Sequence, residues 1–163
     1  MPVQNVKEYL KAWQLEGRVR EFSVSSATVE LAAKAVGVIP ARIAKTLSFL
    51  QKDGESCYLI VAAGDARIDN KRYREQFGLK AKMLTPEQVR QMTGHYIGGV
   101  CPFDLPPGKC EVWLDKSLQR FETVFPAAGS DASAVELTCS ELEACSQARG
   151  WVEVCKLPEG AGE

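Results

Sequence analysis

Apolar residues recur at helical spacing at the start of the chain. Val3, Val6, Leu10 and Trp13 share one face, which predicts an amphipathic helix over Gln4–Glu16 ending near Gly17. Loose alternation over Val19–Val24 predicts a strand. Ser25 or Ser26 then stands as the cap of a helix through T-V-E-L-A-A-K-A-V, closed by Gly37. Pro40 suits the first turn of a short helix leading to Lys45. Leu47–Leu50 and Tyr58–Ala63, joined across Asp53-Gly54, predict a β-hairpin. Asp69 caps a charged helix through Phe77, closed by Gly78. Thr85-Pro86-Glu87-Gln88 is a capping box with proline at the first helical position, opening a helix to about Met92. Short strands are expected at Tyr96–Val100, Glu111–Leu114, Glu122–Phe125 and Ala134–Leu137. Thr138 with Glu141 caps a last helix, and Trp151–Cys155 reads as a final strand.

Helices and strands mix without a regular βαβ repeat, and adjacent strands suggest antiparallel pairing. The reading is one α+β domain over residues 1–163, with a frayed tail at Pro158–Glu163. At 163 residues and 45% hydrophobic content the chain is long enough to bury a core. Charge is balanced, 20 basic against 21 acidic residues, which removes a strongly basic nucleic-acid footprint but leaves room for a local patch. Arg67, Lys71, Arg72, Arg74, Lys80 and Lys82 are candidates for one, on a segment that also carries Asp65, Asp69 and Glu75. No apolar run approaches the roughly 20 residues of a membrane span, and Met1–Tyr9 is not patterned as a signal peptide. A soluble cytosolic protein is expected. The six cysteines, at 57, 101, 110, 139, 145 and 155, form no C-x-x-C pair, and His95 is the only histidine. Neither a metal site nor a disulfide framework is expected from that spacing.

Candidate chemistry concentrates in a few places. Lys45 sits in the mostly apolar segment A-R-I-A-K-T-L-S-F at Ala41–Phe49. Its ammonium is either exposed on the strand's far face or held by a partner as a fixed, partly buried charge. The segment G-G-V-C-P-F at Gly98–Phe103 has two adjacent glycines that let a ligand approach the main chain, and Pro102 stiffens its exit. It is an ordinary turn, or a loop whose N–H groups bind a carbonyl oxygen as charge builds on it. Gly129, Ser130 and Asp131 form a local turn or face a pocket; Thr28 opens a helix. Cys101 is a candidate nucleophile only if His95, six residues back, activates it.

The P-x-x-I-x-K-T-L pattern at Pro40–Leu47, the Gly98–Pro102 loop in G-x-x-x-P form and the V-E-L strand after Gly129 resemble the YbaK/EbsC family. Its members are free-standing relatives of the editing insertion domain of prolyl-tRNA synthetase. The resemblance runs from about Val24 to Val154. It implies a mixed, strongly curved, partly barrel-like sheet flanked by helices. It also implies hydrolysis of the ester joining a wrong amino acid to the terminal ribose of a tRNA. On that resemblance Lys45 is the catalytic residue; Gly98, Gly99, Val100, Cys101 and Pro102 grip the aminoacyl end and ribose. Thr28, Gly129, Ser130 and Asp131 border the acyl pocket. The partner is the acceptor end of an aminoacyl-tRNA, with an aminoacyl-tRNA synthetase as a second candidate; no metal or other cofactor is implied. The branch that removes cysteine has aspartate where this chain has Ala134, so the ProXp branch is nearer. Two alternatives stand beside this: a non-catalytic tRNA- or synthetase-binding module, and a thiol hydrolase built on Cys101.

Overall fold

The structure is a computed structural model that describes residues 2–159. Helix α1 spans Pro2–Leu10 and buries Val3, Val6 and Leu10 as the spacing predicts. It stops earlier than Glu16. The chain tightens into a 3-10 turn at Lys11–Trp13, and Gln14 takes the left-handed conformation, which turns Leu15 into the core. Strand β1 is only Val19–Glu21. Helix α2, Val29–Val36, is capped by Thr28 rather than Ser25 or Ser26, because those hydroxyls are spent elsewhere. Ser25 accepts from Ala27 N–H, and Ser26 accepts from Ser133 N–H.

Strand β2 runs from Ile43 to Leu50, four residues longer than the apolar run suggested, and β3 is Cys57–Ala63. Their hairpin closes where the Asp53 carboxylate accepts from Glu55 and Ser56 N–H. A short β4, Arg67–Ile68, escaped the sequence pattern. Helices α3, Asn70–Phe77, and α4, Pro86–Thr93, carry the expected Asp69 cap and Thr85–Gln88 capping box. Then come β5, Cys110–Asp115; β6, Thr123–Pro126; β7, Ser133–Val135; and β8, Leu137–Thr138. Helix α5, Cys139–Ser146, has the Thr138–Glu141 capping box, and β9, Trp151–Val152, and β10, Cys155–Lys156, end the chain's regular structure.

Three expected strands are corrected. Tyr96–Val100 is a turn, with Gly99 N–H donating to Tyr96 O and Gly98 at φ 95°, an angle no strand accommodates. Ala134–Leu137 splits at Glu136, because β7 pairs with β1 while β8 pairs with β6. Trp151–Cys155 splits likewise, β9 joining β5 and β10 joining β4. The tail from residue 160 lies outside the described residues, and Pro158 and Glu159 have no helix or strand.

The main sheet has the order β8-β6-β2-β3-β5-β9 and curls into a half-barrel. Pairing is mixed rather than mainly antiparallel: β2–β3 and β6–β8 are antiparallel, while β2–β6, β3–β5 and β5–β9 are parallel. The parallel pairs are possible because long excursions, such as residues 64–109 between β3 and β5, supply the crossover. Central β3 is covered on both faces, which explains its unbroken apolar sequence; Leu59, Ile60, Val61, Ala62 and Ala63 are fully buried. All six cysteines are free thiols; Cys57 and Cys110 sit opposite each other on β3 and β5. Among the described residues no helix is long and apolar enough to cross a membrane.

Candidate functional site

A cavity of about 250 Å³ opens between α2, the middle of β2 and the turn at Ile97–Val100. Its floor is apolar: Val29, Ala32, Ile43 and Phe125 meet there. Lys45, the third residue of β2, is half-buried on its wall. Its Nζ donates to Gly64 O at 3.3 Å and to Ala66 O. Both partners are neutral carbonyls in the turn after β3. Burial is the main influence on this ammonium and pulls its pKa below 10.5; the nearby Asp65 opposes the shift. Among the described residues the group is therefore neither a freely exposed lysine nor one arm of an ion pair.

The turn that holds Lys45 is itself fixed. A side chain at Gly64 would place Cβ 2.1 Å from Pro40 O and 2.6 Å from Val29 Cγ1, so only glycine fits. Arg120 clamps Asp65 with two hydrogen bonds, 3.1 and 2.6 Å, and donates a third to Ser117 O. Ser117 Oγ accepts from Ala63 N–H at the end of β3. Sequence reasoning missed Gly64, Ala66, Ser117 and Arg120. Their contribution is made through main-chain carbonyls and a distant ion pair, for which G-D-A after an apolar run gives no signal.

The Gly98–Pro102 segment divides. Gly98 and Val100 line the cavity, whereas Gly99, Cys101 and Pro102 do not. A Cβ on Gly99 would fall 2.7–2.8 Å from the Ser130 main chain. One on Gly98 would meet Asp131 Cβ at 3.3 Å. Ser130 and Asp131 thus pack behind the loop as a buttress, and neither they nor Gly129 are part of the cavity wall. Ser133 Oγ ties that buttress together, accepting from Ala128 and Ser130 N–H at 3.2 Å each. Thr28 does line the cavity, and its Oγ1 accepts from Leu31 N–H as the cap of α2.

Cys101 is fully buried, and burial raises its pKa to about 12. His95 is nearby, with Nε2 3.5 Å from Cys101 Sγ, but the same nitrogen lies 2.7 Å from Phe103 O. A carbonyl only accepts, so Nε2 carries the hydrogen and has no lone pair for the thiol. Burial further lowers the imidazole pKa, and Nδ1 has no partner among the described residues. The pair is not arranged to make a thiolate. Among the described residues no cluster of three or more His, Cys, Asp or Glu side chains is placed to hold a metal ion.

Lys71, Arg74, Lys80 and Lys82 are exposed, while Arg72 donates to Cys155 O at 2.6 Å and so also ties α3 to β10.

A relative, the uncharacterized protein YwhH of Bacillus subtilis (strain 168), is 54% identical over 156 residues, covering 96% of this chain and 98% of YwhH. A crystal structure of a proposed trans-editing enzyme for prolyl tRNA synthetase superposes with a TM-score of 0.84 at 29% identity, over 95% of this chain and 97% of that one. The hypothetical protein APE2540 superposes with a TM-score of 0.81 at 28% identity, over 93% and 99%. The model of the aminoacyl-tRNA editing domain matches residues 24–145, which include Thr28, Lys45, the Gly98 loop and its buttress. The chain belongs to the aminoacyl-tRNA editing domain family.

Proposed function

We propose that this protein hydrolyses the ester between a mischarged amino acid and the terminal ribose of a tRNA, acting as a free-standing deacylase in one domain. The observation that carries the reading is Lys45. An ammonium held only by two neutral carbonyls, on the wall of a cavity in an editing-family fold, keeps its positive charge available for an incoming anion. Water attacks the ester carbonyl, negative charge builds on its oxygen, and the Lys45 charge stabilises that oxygen or the neighbouring phosphate. The ester C–O bond then breaks, and the proton given up by the attacking water passes, relayed by a bound water or the neighbouring ribose hydroxyl, to the ribose oxygen as it leaves. Loop amides position the acyl group. Gly99 N–H is already donated to Tyr96 O, so Gly98 and Val100 are the better placed donors.

The acceptor end of an aminoacyl-tRNA is the substrate, and a synthetase is a candidate partner. The fixed apolar floor limits acyl size. Discrimination there is modest, about 1–3 kcal/mol per methylene. The test is a panel of mischarged tRNAs incubated with the protein in the presence of a chelator. Release of at least one amino acid above the uncatalysed rate is expected. No release across the panel, or release only after a metal is restored, overturns the reading; tight tRNA binding without release would make the protein a binding module.

A further inference from the structure

Strand β2 has one edge fully paired with β3, from Ala44 to Leu50. The other edge is interrupted. There β6 pairs only with Ile43 and Ala44 before ending at Pro126. Pairing resumes beyond the gap, where Leu84 N–H donates to Ser48 O at 3.2 Å, Leu50 N–H donates to Lys82 O at 2.8 Å, and Phe49 bridges Met83. Along a strand, the N–H and C=O of one residue point to the same edge, and successive residues alternate. Ser48 and Leu50 mark the open edge, so Thr46 points both its main-chain groups into the gap. Lys45 and Leu47 turn theirs towards β3. Among the described residues neither main-chain group of Thr46 bonds to another main-chain group. The gap opens on the cavity, whose wall includes Thr46, Ala127, Gly98 and Val100.

An unpaired N–H and C=O on one residue are complementary to a second residue presenting the same two groups, as in the hydrogen-bonded pair of an antiparallel ladder. An aminoacyl ester has that pattern: a carbonyl oxygen and an α-ammonium on one carbon. We propose that Thr46 reads the aminoacyl group as a one-residue antiparallel strand. Its N–H donates to the acyl carbonyl oxygen, and its C=O accepts from the α-ammonium. This rests on the deacylase reading and deepens it. Recognition of this kind is blind to the side chain and demands a free α-amino group, which is the mode of strand addition reduced to its smallest unit. It also puts the reacting carbonyl on the residue next to Lys45.

The probe is the alanyl amide of 3′-amino-3′-deoxyadenosine, which cannot be hydrolysed as an ester, with its lactoyl counterpart, in which a hydroxyl replaces the α-ammonium. Binding of both to the full chain is measured by calorimetry, and exchange of the Thr46 amide hydrogen by NMR. The alanyl compound should bind about tenfold or more tightly, the difference a charged hydrogen bond makes. Thr46 amide exchange should slow in its complex. Thr46→Pro removes the N–H at an open strand edge, where proline is tolerated, and should lose about tenfold. Equal affinity for the two amides, no binding of either at millimolar concentration, or unchanged Thr46 exchange in the saturated complex overturns the proposal, whether or not the proline variant folds. Protection of Thr46 by a ligand, together with no deacylation of any tRNA, would overturn the deacylase reading and leave this pairing standing.

Discussion

Lys45 and Cys101 offer a contrast within one molecule. Each is a side chain with nucleophile or acid–base chemistry, each lies in or beside a motif, and each has a polar neighbour. Lys45 stands half-buried on the cavity wall, held by two carbonyls that leave its charge uncompensated. Cys101 is sealed beneath the loop, with its pKa raised to about 12 and its imidazole neighbour already committed to Phe103 O. What separates them is surroundings rather than residue type: access to the cavity, and partners that preserve the reactive form instead of suppressing it.

The contrast is broken most directly at Lys45. Lys45→Ala should lower single-turnover deacylation a hundred- to thousandfold, roughly 3–4 kcal/mol of transition-state stabilisation. Circular dichroism should show the fold retained. Lys45→Arg should rescue poorly, because a planar guanidinium does not fit the two-carbonyl seat of a compact ammonium. Wild-type rates in folded Lys45→Ala would remove the residue from the mechanism. The charged form is the active one, so activity should fall as pH rises through a value below 10.5, the direction in which burial moves this group. Stability responds with the opposite sign. The folded state binds fewer protons here than the unfolded chain, so this group's contribution to stability increases with pH across the same window. A rate that stays flat to pH 10.5 contradicts the assignment.

A smaller effect is expected at the turn that seats Lys45. Gly64→Ala drives Cβ into the Pro40 carbonyl, backbone against backbone, and something must shift. The cost should be about 1–3 kcal/mol, seen as a fall in melting temperature of roughly 2–12 °C, with a loss of deacylation rate that exceeds any change in substrate affinity. An unshifted melting curve would mean the turn yields freely and does not set the lysine's position. The smallest effect belongs to the other half of the comparison. Cys101→Ser should leave the rate within about threefold of wild type while costing some stability for a buried hydroxyl. A thousandfold loss in the folded variant would instead restore a thiol nucleophile.

Local signals in the sequence were reliable guides to the fold. The Thr85–Gln88 and Thr138–Glu141 capping boxes, the Asp53-Gly54 hairpin and the Asp69 cap all form as their residues dictate, because each is decided within a few positions. What depended on distant partners was not legible. The start of β2 at Ile43 is fixed by β6, and β4 exists only because β10 lies beside it. The error at Tyr96–Val100 has a different origin: Tyr96 and Ile97 have strand-forming side chains but are each 61% exposed at a turn, with Ile97 on the cavity rim. At the site, Lys45 and Gly98 stood out through composition and resemblance, and the structure brings both to one cavity with Thr28 and Val100. Ser130 and Asp131 belonged to the same constellation but at one remove, behind the loop. The carbonyls of Gly64 and Ala66 were invisible, since every residue has one and only the fold decides where it points.

The break in pairing along β2 also bears on how the protein behaves at high concentration. Unpaired strand edges are where chains recruit one another into aggregates, and sheets usually protect them with charges, bulges or covering segments. Here the unpaired groups are those of Thr46 alone, between Lys45 and Leu47, stopped on one side by Pro126 and on the other by the bridge from Met83. A run that short, with a lysine beside it, cannot template the five or six consecutive pairings of an ordinary strand. The molecule thus keeps an edge open for a single small guest while denying it to another polypeptide.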